Sequence, residues 1–283
     1  MNKQEKITLV IISHQSYKNV LRFIKLLSDK YKILIIDNSN DEILKKKIEY
    51  RKNIKFYITK NKGYGSAINF ANKFIETDYF FVFNPDILNI DDEFIESFIS
   101  KAKILKDNFL CLGPRFVGVD VKSHKQSNLN IEIAKINAIN GACMFINKKK
   151  FDLLHGFDEN IFLFFEENDF CKRGLKKNFK IYQINSIKVK HASGTSVEIV
   201  NDKQKQKLEL LRNWHFIWSK YYFYKKHYGH ILSLIFFTPI LIRIIFRIVV
   251  YSIIKNEEKK RKFLNRLDAL ISSIKGLNSS KRI

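Results

Sequence analysis

Four short runs in the first ninety residues are apolar on both faces: Ile7–Ile12 (ITLVII), Ile33–Ile36 (ILII), Ile54–Ile58 (IKFYI) and Tyr79–Phe83 (YFFVF). A strand with one wet face alternates polar and apolar residues. Continuous β-branched and aromatic runs belong instead inside a parallel sheet covered by helices. Between them, Tyr17–Leu27 and Ser66–Ile75 carry apolar residues at helical spacing, and a further helix is predicted over roughly Asp92–Lys106. The alternation predicts a Rossmann-like, doubly wound α/β domain, whose ligands bind beyond the carboxyl ends of the strands. From there to about Asn137 the pattern is less regular. A compact second cluster runs from Asn140 to His191, and no internal repeat is visible.

The four strand ends carry polar residues and glycine. They are Ser13-His14-Gln15, Asp37-Asn38-Ser39, Asn61-Lys62-Gly63-Tyr64-Gly65-Ser66 and Asn84-Pro85-Asp86. Each alone reads as an ordinary turn, because Asn, Asp, Gly and Pro are turn formers. Four together, each directly after a strand, point to one converging site. Asp86 follows a buried strand and Pro85 stiffens the turn presenting it, so it is the leading candidate to hold Mg2+ or Mn2+, which take hard oxygen ligands; its other reading is a turn or helix cap. The Asn61-Lys62-Gly63 loop opens a helix, offering backbone N–H groups and Lys62 to phosphate or a nucleoside.

The second cluster reads Asn140-Gly141-Ala142-Cys143-Met144-Phe145-Ile146, then Gly156-Phe157-Asp158-Glu159, then Phe164-Phe165-Glu166-Glu167-Asn168-Asp169. Carboxylates placed directly after an aromatic run suit a catalytic base, since apolar neighbours raise a carboxyl pKa. Acid enrichment at a helix N-terminus explains the same residues, and both readings hold at once.

Composition narrows the class. Of 283 residues, 46% are hydrophobic and 28% charged, as in a folded protein. Cys111, Cys143 and Cys171 are widely spaced, with no CxxC pair, and read as small core residues in a reducing compartment. The N-terminal apolar run is too short for a signal peptide, which predicts a cytoplasmic location. A net charge of +23 implies an anionic partner, and from Lys203 onward 18 Lys/Arg stand against 4 Asp/Glu. That same segment holds the longest apolar stretch, Ile231–Ile254, so an anionic membrane surface is expected and nucleic acid is not. The run Trp214–Tyr228 (WHFIWSKYYFYKKHY) matches an interfacial aromatic belt and, superficially, a nucleic-acid groove.

The apolar stretch is long enough to cross a bilayer. Arg243 and Arg247 near its centre would each cost about 2.5–3.5 kcal/mol there, and four apart they share one helix face. Pro239 is expected to break the first half from the second, and Lys225-Lys226 and Lys259-Lys260-Arg261-Lys262 flank it. An in-plane or re-entrant anchor on the cytoplasmic side of the cell membrane is therefore expected, peripheral or monotopic, with a single span as the alternative.

In order and approximate spacing, IISHQSYKN, IIDNSND, NKGYGSAIN, FNPD, GACMFINKKKFDLLHGFDENIFLFFEENDFCKRG and VKHASGTS resemble family 2 glycosyltransferases, from about Ile7 to Tyr228. The likeness is greatest to the bacterial rhamnosyltransferase-like branch. It implies a GT-A fold over residues 1–200, with a nucleotide-sugar half to about 115 and an acceptor half after it, followed by a membrane-associating helical tail over 201–283. It implies that Ser13, His14, Asp37, Asn61, Lys62, Gly63, Asn84 and Asp86 bind the nucleotide sugar, with Asp37 on the nucleobase. Metal would sit on Asp86 and on His191, 24 positions beyond Glu167. Asn84 stands where the metal motif usually has an acid. Glu167 falls on the catalytic base, with Glu166 the other candidate, and Gly141, Ala142, Asp158 and Asp169 on the acceptor side, Asp169 alternatively structural. The implied activity is inverting transfer from a dTDP- or UDP-sugar, dTDP-L-rhamnose first, to a lipid-linked or polymeric saccharide acceptor in cell-surface polysaccharide assembly. Rivals are transfer to polyprenyl phosphate, a non-catalytic basic membrane or nucleic-acid binding protein, and a glycerophosphate or nucleotide transferase.

Overall fold

The computed structural model describes residues 7–88, 90–118, 128–192 and 194–282. In chain order the elements are β1 (Ile7–Ser13), α1 (Tyr17–Lys25), β2 (Lys32–Asp37), α2 (Glu42–Ile48), β3 (Ile54–Ile58), α3 (Tyr64–Asn72), β4 (Tyr79–Phe83), β5 (Ile87–Leu88), α4 (Asp92–Ile104) and β6 (Cys111–Val117). They continue through β7 (Ile133–Lys135), β8 (Cys143–Asn147), α5 (Lys148–Leu153), α6 (Glu166–Lys176), β9 (Ile181–His191), α7 (Asp202–Tyr228), α8 (His230–Ile253) and α9 (Glu257–Ile274). One mixed sheet runs β3-β2-β1-β4-β8-β6-β9-β5, with β7 paired to β9. The strands β3, β2, β1 and β4 are parallel neighbours; β8 enters antiparallel between β4 and β6.

Side-chain alternation explains why both faces of β1, β2, β4 and β8 are apolar. Leu9, Ile11, Ile33, Ile35, Phe81 and Phe83 point to a core closed by α1, α2 and α4 through residues such as Phe23, Leu44 and Phe98. Val10, Ile12, Leu34, Ile36, Phe80 and Val82 point to the other, closed by α3, α5 and α6 through Ile68, Phe151 and Phe170. Each fully buried side chain of this size contributes about 1.5–3 kcal/mol, so covering both faces of the sheet is strongly stabilising. The three cysteines are free and buried in these cores.

The stretch between α4 and Asn137 is more ordered than its pattern suggests, although residues 119–127 within it lie outside those described. It contains β6, whose Gly113-Pro114 pair reads as punctuation. The sheet absorbs it by a register shift between Pro114 and Arg115, a β-bulge that tolerates the missing proline N–H.

The chain divides into two compact units: residues 1–158 with 167–198, and residues 159–166 with 199–283. The second unit is built on the helices α7, α8 and α9, with Trp214, Trp218, Tyr221, Phe237 and Leu270 in its core. Two expectations are corrected here. The aromatic run of α7 is a surface only in part: helical spacing turns Trp214, Trp218 and Tyr221 into the core shared with α8 and α9, while Phe216 and Tyr228 stay exposed. Pro239 does not break α8, which continues through it for 24 residues. Proline removes one backbone donor and crowds the carbonyl four residues earlier, a local cost that this helix bears without ending.

Candidate active site

The parallel strands bring four carboxyl ends to one edge of the sheet. Along it, among the described residues, Ser13 Oγ, His14 Nδ1, Asn38 Oδ1, Thr59 Oγ1 and Asp86 Oδ2 are buried atoms without a hydrogen-bond partner. Buried polar atoms are nearly always paired, and an orphan costs about 1–3 kcal/mol. Such atoms gathered after neighbouring strands mark a place shaped to receive a polar ligand.

Local hydrogen bonds hold that edge in shape. Asp37 is fully buried. Its carboxylate accepts the Ser39 N–H at 2.9 Å, the Ser39 hydroxyl at 2.9 Å and the Asp41 N–H at 3.1 Å. Ser39 Oγ in turn accepts the Gln15 N–H at 2.8 Å, joining the β1 and β2 loops. Asp37, assigned to the nucleobase from the resemblance, is thus turned onto its own loop. Asn38 Nδ2 donates to Asn61 Oδ1 at 3.4 Å, and that oxygen also takes the Gly63 N–H at 3.3 Å. Gly63 starts α3 with φ 107° and ψ 169°, a conformation open essentially to glycine alone, and no side chain caps the helix. The positive end of the α3 dipole thus faces this edge of the sheet, and Lys62 beside it is exposed, a combination suited to an anionic group.

Asp86 is placed by the sheet. The Asn84 N–H donates to Ala142 O at 2.9 Å, and the Ile87 N–H closes the turn on Asn84 O at 3.2 Å. Then β5 pairs with β9, setting Ile87 opposite His191, and the Ala192 N–H binds Asp86 O at 3.1 Å. The result puts His191 Nε2 at 3.2 Å from Asp86 Oδ1, with Asp86 fully buried. A buried carboxylate with one oxygen orphaned and an imidazole on the other fits a divalent cation that draws its remaining ligands from phosphate and water. Among the described residues there is no group of three or more His, Cys, Asp or Glu that could hold a metal.

The acidic pair follows a tense stretch of backbone. Phe164 and Phe165 have φ of 67° and 69°, a left-handed conformation unusual for bulky residues. Within the second unit α7 holds that stretch: Phe216 packs on both rings, Phe223 on Phe165, and Ser219 Oγ donates to Leu163 O at 2.8 Å. Two left-handed residues swing the chain into α6, which opens with buried Glu166 and half-buried Glu167. Burial pushes the Glu167 carboxyl up to about 7, although its own N–H and that of Asn168 pull the other way. Asn168 Nδ2 donates to Glu167 Oε1 at 2.8 Å. Gly141 lies beside it: a Cβ there would sit 3.5 Å from Glu167 Cβ. The Tyr64 hydroxyl donates to Gly141 O at 2.7 Å, linking this loop to the start of α3.

Asp169 is committed elsewhere. It is fully buried and accepts Arg173 Nε at 2.8 Å, while the Arg173 guanidinium donates to Leu154 O and Gly156 O. That favours the structural reading of this acid over an acceptor contact. Half-buried Asp158 follows Phe157, whose backbone is clamped on both sides by the Asn69 amide. The geometry therefore brings Ser13, His14, Asn61, Gly63, Asn84 and Asp86 to the strand-end edge, ties Gly141 and Ala142 to it, and sets Glu167 beside Gly141. Sequence reasoning missed Thr59, which stands directly after β3, and named Tyr64 only as part of the loop that opens α3.

The pattern of glycosyl transferase family 2 matches residues 8–170. The low-salt glycan biosynthesis hexosyltransferase Agl10 of Haloferax volcanii is 20% identical over 213 residues, 66% of this chain and 67% of its own. Among solved structures, the mannosyltransferase PcManGT of Pyrobaculum calidifontis, in complex with GDP-Man and Mn2+, superposes with a TM-score of 0.60 at 11% identity, covering 95% of this chain and 87% of that one. S. aureus TarS 1–349 in complex with UDP-GlcNAc gives 0.51 at 15% identity, over 95% and 81%. GalNAc-T7, solved with UDP, GalNAc and Mn2+, gives 0.54 at 15% identity over 76% of this chain, which spans 52% of that protein's length. With more than half of its length matched by the family pattern and with this fold, the chain belongs to glycosyl transferase family 2.

Proposed function

We propose that the protein transfers a hexosyl group from a nucleoside-diphosphate sugar to a saccharide hydroxyl by a single displacement with inversion. The observation that carries this reading is the Glu167 carboxyl, pushed up to about 7 and set beside the Gly141 loop, which is itself bonded to the turn presenting Asp86. A base with a pKa near neutrality accepts a proton and still exists ionised. Glu167 takes the proton of the acceptor hydroxyl as that oxygen bonds to the anomeric carbon and the bond to the diphosphate oxygen breaks. The nucleoside diphosphate departs with the bonding electron pair. The Gly63 turn and the N-terminus of α3 receive its phosphates, and the orphaned atoms at Ser13, His14, Asn38 and Thr59 receive the nucleobase and its pentose. Asp86 and His191 would hold Mg2+ or Mn2+, which supplies charge neutralisation to the diphosphate.

The donor tested first is dTDP-L-rhamnose, from the resemblance, followed by UDP- and GDP-sugars of the kinds bound by the solved relatives. The acceptor class is a lipid-linked or polymeric glycan. Proton NMR of the product is the test: the anomeric configuration should be opposite to that of the donor. A retained configuration would overturn the single displacement.

We further propose that α8 anchors the enzyme in the plane of the cytoplasmic leaflet. Its 24 residues extend about 36 Å at 1.5 Å per residue. The helix is long and apolar enough to cross a membrane by composition, yet Phe237 packs on Tyr221 and Tyr224 of α7, and Ile244 on the same side is buried. Ile231, Ile235, Ile242, Phe246 and Ile253, on the opposite side, are 62–74% exposed. A spanning helix would drag charged α9, with its Lys259-Lys260-Arg261-Lys262 run, into the bilayer. The three native cysteines are buried, so Lys220→Cys and Lys275→Cys report cleanly in intact cells. Both should be protected from an impermeant thiol reagent; labelling of position 275 with 220 protected would establish a span.

A further inference from the structure

The helical unit contains a cavity of about 680 Å3 that the transfer reaction does not use. Volumes of this order are those of small-molecule sites. Its wall combines Trp218 and Lys225 from α7, Asn160, and Gly276, Asn278 and Arg282 from the end of the chain. Lys226 and one acid, Glu159, also line it, so three cations face one carboxylate. Lysines at a helix C-terminus complement its dipole, which accounts for Lys225 by itself. It does not account for Arg282.

Arg282 is held in advance of any ligand. Its guanidinium lies 3.8 Å from the centre of the Phe162 ring, and its NH1 group donates to Ser279 O at 2.7 Å and to Lys281 O at 2.8 Å. The segment carrying it is fastened to α7: His215 Nδ1 meets Ser279 Oγ and His215 Nε2 meets Lys281 O, each at 2.9 Å, and Trp218 Nε1 donates to Leu277 O at 3.0 Å. Neither Arg282 nor Lys225 has a carboxylate partner among the described residues. A guanidinium fixed by stacking, with donors to spare and an unneutralised ammonium on the same wall, is arranged for an oxyanion. The same unit exposes the apolar side of α8, which begins four residues after Lys226.

We propose that this cavity binds the phosphate or diphosphate head of an amphiphile, the unit that holds it being the one that exposes the apolar side of α8. The inference stands on the helical unit and is tested by binding, so its failure leaves the transfer reading untouched. The chain's two tryptophans, Trp214 and Trp218, are both in this unit, which makes intrinsic fluorescence a local reporter. The full-length protein in EDTA and detergent is titrated with farnesyl diphosphate, inorganic diphosphate and farnesol. Farnesyl diphosphate should give a saturable change, farnesol none. Arg282→Gln and Lys225→Gln should each weaken it about tenfold, the scale of one lost charge-assisted hydrogen bond, and Lys203→Gln, on exposed α7 outside the cavity, should not. Inorganic diphosphate binding as tightly as the farnesyl compound overturns the amphiphile and leaves a site for a soluble phosphate. If Arg282→Gln fails to fold, Lys225→Gln decides. No saturable signal with either diphosphate, or unchanged affinity in both folded variants, overturns the proposal.

Discussion

Replacing Glu167 by Gln perturbs stability and rate in opposite directions. The carboxyl rises from the ordinary 4.5 to about 7 in the folded protein, which disfavours its charged form by up to about 3 kcal/mol at 1.36 kcal/mol per unit. Below pH 4.5 both folded and unfolded chains are protonated and nothing is lost. Between 4.5 and 7 the unfolded chain releases the proton first, so native stability falls as pH rises, and above 7 the loss is complete. Glutamine carries no such cost. Urea unfolding should therefore show Glu167→Gln gaining up to about 3 kcal/mol on the wild type between pH 4 and pH 8. Turnover should move the other way, by about a hundredfold or more, the scale of a lost general base, with donor affinity nearly unchanged. The wild-type rate should rise through pH 7 and the variant should lack that limb. A stability difference independent of pH, together with a limb that persists in Glu167→Gln, would refute the assignment. A crippled Glu166→Gln beside an active Glu167→Gln would move the base one residue back.

Arg173→Ala leaves the fully buried Asp169 without its ion pair, and should cost about 3–5 kcal/mol in chemical denaturation with kcat of the folded fraction nearly intact. Gly63→Val forces a side chain into φ 107°; a loss of about 1–3 kcal/mol and weaker donor binding by calorimetry are expected, and unchanged donor affinity would count against α3 as the phosphate cradle. Ile242→Asp places a charge on the outward side of α8, so flotation with anionic vesicles should fall sharply while soluble-acceptor turnover survives.

The parallel half of the sheet was legible because β1, β2 and β4 are continuous apolar runs, whereas β3, read as equally buried, is the sheet's edge strand and leaves Lys55 exposed. The strand β6 was not, since Gly113-Pro114 imitates a loop and only the sheet reveals a bulge. Asp86 and His191 lie 105 positions apart, and the motif alone paired them; the two-residue ladder of β5 on β9 is the physical cause. Asp169 and Glu167 look equivalent in EEND, yet one helical turn gives Asp169 an arginine at i+4 and leaves Glu167 facing Gly141. Nothing in the pattern of FLFF signals that Phe164 and Phe165 adopt left-handed backbone, or that residues 159–166 belong with the C-terminal helices. Those are properties of tertiary packing on α7. Pro239 misled because a proline costs a helix one backbone hydrogen bond and a local clash, which need not end it.

The most direct test is nucleoside diphosphate release by purified full-length protein, given a panel of dTDP-, UDP- and GDP-sugars with Mg2+ or Mn2+. At least one donor should release its nucleoside diphosphate, and EDTA or Asp86→Ala should abolish that release while circular dichroism stays native. Release that survives both treatments, or silence across the whole panel with acceptor glycan present, would contradict the account.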